Sequence, residues 1–419
     1  IDGHENGMVF GSSRGDINEP GKRDDHTAWV YDANVTIGET NGTGPAIKGS
    51  VYGSGENGHV FNDTEVNINS GTIGIAEGAS VTSGGTLYTG AEYPYRGNVY
   101  GAGCGTDKYY SNHALETHDG NGDKFNPLAG IVYGTTTINI TGGTIVRNVY
   151  GAGAMGSVGR TVTTTENNTT TTTYSGGSTT INVSGGTIGV DGTDGDGNVF
   201  GAARGDLSAT EDDLAMVRET HVNVSGGTVK GNVYGGGELG DVGIINKTDK
   251  TNYNYNWIGY NGDANAHCNN TITGTNNNTG ICTVTVSGGT IGTDDTTANA
   301  DGSFDIGNVY GGGKGSGTTW WCEKAIAYAT NVTVTAGTVK GSVYGGGEVG
   351  RVEDDAKVTI GTADDTGADS KPTINGSVFG AGKGLMTHGY SALVRGNADV
   401  TVQGKSVVGG SVLGGGEIA

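Results

Sequence analysis

Glycine supplies 84 of the 419 residues and proline only 5, without a Gly-X-Y period, so neither a linker nor a collagen repeat describes the chain. Acidic residues outnumber basic ones 44 to 23, and the net charge of −21 repels phosphate backbones and anionic headgroups, which argues against nucleic acid as a partner. No apolar run is long enough for a membrane helix, so no membrane insertion by this segment is expected.

One five-residue phrase recurs ten times: a small residue, any residue, Val, an aromatic and Gly. Its valines are Val9, Val51, Val99, Val149, Val199, Val233, Val309, Val343, Val378 and Val412, and the tightest copies lie 34 residues apart. Before nine of the phrases stands an alternating apolar and polar segment, beginning at Val35, Val66, Ile138, Ile181, Val222, Val284, Val332, Val358 and Val400. Alternation of this kind is a strand with one buried face. In the tightest copies the phrase valine follows only 11 residues on, across a Gly-Gly-Thr corner that leaves no room for a helix. The fold expected is all-β: a single right-handed parallel β-helix (β-solenoid) of about ten coils, continuous over residues 1–419, with insertions at two corners. Residues 244–283 read as the longest loop insertion, and 102–137 and 154–179 as further ones. Ten coils at strand spacing make a rod of roughly 45 Å.

Stacking in register turns repeat positions into columns. After the phrase valines come Phe10, Tyr52, Tyr100, Tyr150, Phe200, Tyr234, Tyr310, Tyr344, Phe379 and Leu413, an expected aromatic ladder. The glycine that follows marks a corner needing either positive φ or close backbone approach. Five places after the valines, the charge alternates from Arg204 through Glu238, Lys314, Glu348 and Lys383 to Glu417, which predicts weak, exposed pairs.

The candidate site residues lie in the insertions. Tyr253, Tyr255, Trp257, Tyr260, Trp320 and Trp321 suit either a sugar or protein contact or a small satellite core. Asp119, Asn121 and Asp123 have the first spacings of a calcium loop without its turn Gly or final Glu, and Asp194, Asp196 and Asn198 form a second fragment. No cofactor is expected, with calcium the one ion these fragments suggest. Cys268 and Cys282 flank a polar loop and Cys322 lies in the loop one coil later; a disulfide within this trio is expected in an oxidising compartment, with Cys268 to Cys282 the first choice and Cys104 free. The RGD tripeptides at Arg14 and Arg204 resemble the tripeptide that integrins recognise, but both fall at one repeat position and the repeat alone can generate the match.

With Gly-Gly-Thr-Ile/Val corners, Val-Tyr-Gly-Gly-Gly phrases and Asn/Thr-rich strands, the chain resembles repetitive β-helical surface proteins and adhesins of bacteria, among them autotransporter passengers, polymorphic outer-membrane proteins and Gly-rich repeat proteins of gut Bacteroidetes. That resemblance implies export to the cell surface or the extracellular space and a structural or adhesive filament role, with a glycan or host surface protein as partner, and it carries over no catalytic residue. The alternative is a polysaccharide-acting β-helix lyase or hydrolase. Such an enzyme needs clustered carboxylates beside a base, whereas Asp212-Asp213, Asp354-Asp355 and Asp364-Asp365 belong to different coils. The first phrase lacks a leading strand and the last is followed by no polar cap, so a longer chain or head-to-tail self-association is expected at both ends.

Overall fold

The structure, a computed structural model, describes residues 7–15, 28–83, 85–90, 96–106, 108–109, 124–126, 128–166, 169–190, 196–209, 214–243, 280–317, 324–363, 371–387 and 391–418. Among these there is no helix. The chain is a parallel β-solenoid, and its walls follow from the repeat.

One wall is a ten-stranded parallel sheet made only of the two-residue phrase strands, from Val9–Phe10 to Val412–Leu413. Its register is valine on valine and ring on ring, as in Val51↔Val99 and Tyr52↔Tyr100. A 16-stranded parallel sheet forms the opposing walls, from alternating strands such as Thr136–Ile140 and short Thr-Ile strands such as Thr144–Ile145. In two coils the long and short pieces run on as a single strand, Ile281–Ile291 and Ala329–Val339, with a bulge at the Gly-rich corner.

Each coil has a fourth segment that the repeat pattern leaves hidden. A narrow strip of parallel bridges runs through Val30, Val60, Val132 and Val158, and again through Val217, Val242, Ala327, Val352 and Val394. Residues 102–137 and 154–179 are therefore not purely loop insertions. The first holds Ala102, Val132 and Thr136 in the walls, and the second holds Ala154, Val158 and Thr179, all essentially inaccessible to water. The rest of the 154–179 segment is an antiparallel hairpin, Arg160–Glu166 against Thr169–Ser175.

Inside, one coil buries Val217, Val222, Val224, Val229 and Val233 completely. Each such side chain contributes about 1.5–3 kcal/mol of hydrophobic stabilisation, and β-branched residues suit a narrow pleated wall. A threonine opens the inward face of most long strands. Thr64, Thr136, Thr179, Thr220 and Thr330 donate their hydroxyls to the phrase-glycine carbonyls of Gly101, Gly151, Gly201, Gly235 and Gly345, all at 2.6 Å.

The structure decides between the two reasons for the phrase glycine. None of these glycines from Gly11 to Gly380 has positive φ. A Cβ on Gly201 would stand 2.1 Å from the carbonyl oxygen of Gly235, and one on Gly235 would stand 2.2 Å from that of Gly311. Close stacking of backbone on backbone is what demands glycine here. Positive φ belongs instead to the second glycine of the Gly-Gly-Thr corners, as at Gly186 (75°) and Gly227 (72°).

Candidate functional site

The aromatic column forms as expected, and it is sealed. Strand alternation turns the phrase rings away from the valine core, yet Tyr52, Tyr100, Tyr150, Phe200, Tyr234, Tyr310 and Tyr344 are all buried. Consecutive rings from Phe10 to Phe379 stack face to face at 4.6–5.0 Å. No ligand reaches them, so the ladder is part of the scaffold.

The charged column is also in register, for the backbone N–H of Glu238, Lys314, Glu348, Lys383 and Glu417 each bonds to the coil below. It is less exposed and more connected than expected. Lys314 pairs with Glu238 at 3.4 Å with both side chains about one quarter exposed, and Arg14 pairs at 3.3 Å with a buried Glu56. The glutamates also cap the ladder: Tyr150 donates its hydroxyl to Glu238 (2.7 Å), Tyr234 to Glu348 (2.6 Å) and Tyr344 to Glu417. Burial, followed by these carboxylates, pushes the phenols of Tyr150 and Tyr234 well above the usual tyrosine range.

A further column occupies the second phrase position, which the phrase itself leaves open to any residue. It is Asn or Ser from Ser50 onward, and its members bond from coil to coil. The backbone N–H groups of Asn148, Asn198, Asn232 and Asn308 donate to the Oδ1 atoms of Asn98, Asn148, Asn198 and Asn232 at 2.7–3.0 Å. Ser342, Ser377 and Ser411 continue the chain. A second, outward amide ladder joins Asn67, Asn139, Asn182 and Asn223 at 2.9–3.0 Å.

Most residues singled out in the insertions lie outside the described residues: Tyr253, Tyr255, Trp257, Tyr260, Trp320, Trp321, Asp119, Asn121, Asp123, Asp194, Cys268 and Cys322. Of the second calcium fragment, Asp196 forms an ion pair with Arg147. Among the described residues no group of three or more His, Cys, Asp or Glu side chains is placed to hold a metal. Cys282 is the second residue of a wall strand. It takes the place of the inward threonine, fully buried as a free thiol, and burial pushes its pKa up to about 12. Cys104 is also buried, packed with the ladder, with its Sγ 3.1 Å from Thr106 Oγ1. In the RGD at Arg204, the Asp206 carboxylate turns back to accept Ser208 N–H (2.7 Å) and Oγ (2.6 Å).

The described surface carries one constellation that the repeat does not generate. In the hidden strip Val30, Val60 and Val132 point inward, so the next residues, Tyr31, Phe61 and Tyr133, point outward in one column. Trp29 joins them with its ring edge-on to Tyr31, centroids 5.0 Å apart and planes at 90°. Phe61 lies 5.9 Å from Trp29, 6.0 Å from Tyr31 and 5.7 Å from Tyr133. The Arg160 guanidinium backs the inner pair, 5.2 Å from the Phe61 ring and 4.8 Å from that of Tyr133. Tyr31 is 62% exposed and Trp29 38%.

Where these segments turn into the long strands, the chain places Asp32, Asp63 and Thr135 at one corner. They open a groove of about 500 Å³, lined also by Asn34, Glu65 and Thr137. Asp63 Oδ1 accepts the N–H (2.7 Å) and hydroxyl (2.9 Å) of Thr135, and Glu65 accepts Asn139 Nδ2 at 3.2 Å. Among the described residues Asp32 receives only long contacts of 3.4 Å, from Asp63 N and Asn62 Nδ2. Sequence could have revealed this patch through the similar segments WVYD and HVFND, each a few residues before a long strand.

Compared with protein-family models, curated proteins and solved structures, the chain matches none.

Proposed function

We propose that this solenoid is an extracellular, non-catalytic rod of a bacterial surface protein or filament, with a structural or adhesive role. The observation that carries the reading is the unbroken register of its columns. Valine, ring, amide and charge each stack through successive coils, which makes a stiff spacer, while the variable lengths in the sequence fall between the wall segments. That division suits a protein whose task is to hold contact surfaces away from an anchoring point. The net charge of −21 favours a solvated surface.

Immunogold labelling of the producing cells tests the assignment. Labelling of intact cells is the expected result. Signal obtained only after permeabilisation would overturn it.

A further inference from the structure

The wall itself does not require aromatic residues at the corner of the first coils. Along the same outward column the following coils carry Gly159, Arg218, Gly243, Tyr328, Glu353 and Arg395. The wall therefore tolerates glycine or a charge where Tyr31, Phe61 and Tyr133 stand. Phe61 and the buried Tyr133 pack beside the Arg160 guanidinium, whereas Tyr31 stays 62% exposed and Trp29 38%, and Tyr31 directly precedes Asp32, which lines the groove.

From this we infer that Trp29, Tyr31 and the adjoining groove form a binding site for a neutral glycan, a run of hexopyranose residues. The inference deepens the adhesive reading above and rests on it for biological setting only. Its chemistry is local. A pyranose presents an apolar C–H face, which packs on an exposed aromatic ring, and a rim of hydroxyls, which need acceptors. Trp29 and Tyr31 supply two ring surfaces at right angles, one for a sugar face and one to close the side of the site. Asp32, Asp63 and Glu65 supply carboxylate oxygens, Asn34 an amide and Thr135 and Thr137 hydroxyls, along a groove of small-ligand size.

The charges select the class. Three carboxylates face the groove and none makes an ion pair with a described residue, while the nearby Arg160 lies over Phe61 and Tyr133. A uronic acid, sialic acid or sulfated sugar would be repelled. A neutral sugar hydroxyl donates to an ionised carboxylate in a charge-assisted hydrogen bond, stronger than one to a neutral acceptor. The Thr135 clamp on Asp63 fixes that carboxylate before any ligand arrives, which limits the ordering cost of binding.

The test is isothermal titration calorimetry of the full chain with cellohexaose, mannohexaose, xylohexaose and laminarihexaose, and with trigalacturonate as the acidic probe. At least one neutral oligosaccharide is expected to bind and trigalacturonate is not. Tyr31→Ala and Trp29→Ala should each weaken binding tenfold or more, with unchanged circular dichroism. Tyr328→Ala, the same column position in a later coil, should leave it unchanged. The proposal is overturned if no neutral oligosaccharide binds at millimolar concentration, if trigalacturonate binds in preference, or if affinity survives both aromatic substitutions. Surface labelling and sugar binding fail independently. A chain that binds sugar but never reaches the surface refutes the proposed location alone, and a surface protein deaf to these sugars refutes the site alone.

Discussion

Asn232→Ala is the most direct probe of the buried amide column. The Asn232 Oδ1 accepts the backbone N–H of Asn308 at 2.8 Å, and Asn308 is 0% exposed, so no water replaces the lost acceptor. A stranded buried donor costs about 1–3 kcal/mol. Its amide nitrogen also donates to the Asp305 carbonyl at 3.0 Å, but Asp305 is exposed and water restores that contact at little cost. The void left by the side chain adds about 1 kcal/mol, for a total of about 2–4 kcal/mol. Asn232→Ser should cost less, because serine already serves as acceptor in this column, with Ser377 N bonded to Ser342 Oγ at 3.0 Å. Because a solenoid need not unfold in one step, the assay is amide hydrogen exchange over residues 306–312, supported by urea midpoints. Alanine should accelerate exchange at Asn308 by one to three orders of magnitude and serine by much less. Equal effects of alanine and serine, or no change at Asn308, would refute the assignment of the ladder as a hydrogen-bonded element.

Three further outcomes follow from the columns. The buried phenols of Tyr150, Tyr234 and Tyr310 have pKa values raised chiefly by burial, so their contribution to stability is complete below pH 10 and is lost as pH rises above it. Stability should fall by about 1.4 kcal/mol per pH unit for each such phenol once the unfolded chain ionises and the folded one does not, and tyrosinate absorbance that rises to completion near pH 10 with an unchanged circular dichroism spectrum would contradict this. Glu348→Gln keeps an acceptor for Tyr234 and should be mild, whereas Glu348→Lys removes the acceptor of that phenol and sets a third lysine in the column between Lys314 and Lys383, and should cost about 2 kcal/mol or more, read from urea midpoints. Cys104 and Cys282 should resist a thiol reagent until the chain is unfolded, and Cys282→Thr should be neutral or stabilising, because Thr220 and Thr330 on either side already donate to glycine carbonyls at 2.6 Å; a loss above about 1 kcal/mol would show that the position is not interchangeable.

A solenoid is unusually readable because stacking maps each repeat position onto itself one coil later. Whatever every coil must share is therefore written in the sequence as a recurring letter. The valine walls, the ring ladder and the alternating charges were legible on that ground, and Tyr52↔Tyr100 and Phe379↔Leu413 pair as the phrase alignment requires. The need for glycine after each ring was legible too, but not its cause, since positive φ and close approach leave the same letter. Only the 2.0–2.3 Å that would separate an added Cβ from the next coil's carbonyl chooses between them.

What the sequence left open is what lies across the stack. The strip from Val30 to Val394 is separated from its neighbours by insertions of unequal length, so no fixed spacing exposes it, and one short valine segment looks like any other until backbone bridges align them. Burial of the tyrosines was equally hidden, because the glutamates that cap Tyr150 and Tyr234 arrive two coils later, 88 and 114 residues along the chain. The aromatic corner combines both obstacles. Trp29, Phe61 and Tyr133 sit in segments with different surroundings and meet only because three parallel strands place them one strand spacing apart. Sequence determined the columns, since they are properties of one residue repeated; tertiary structure decided the surfaces, since each is a property of different residues brought side by side.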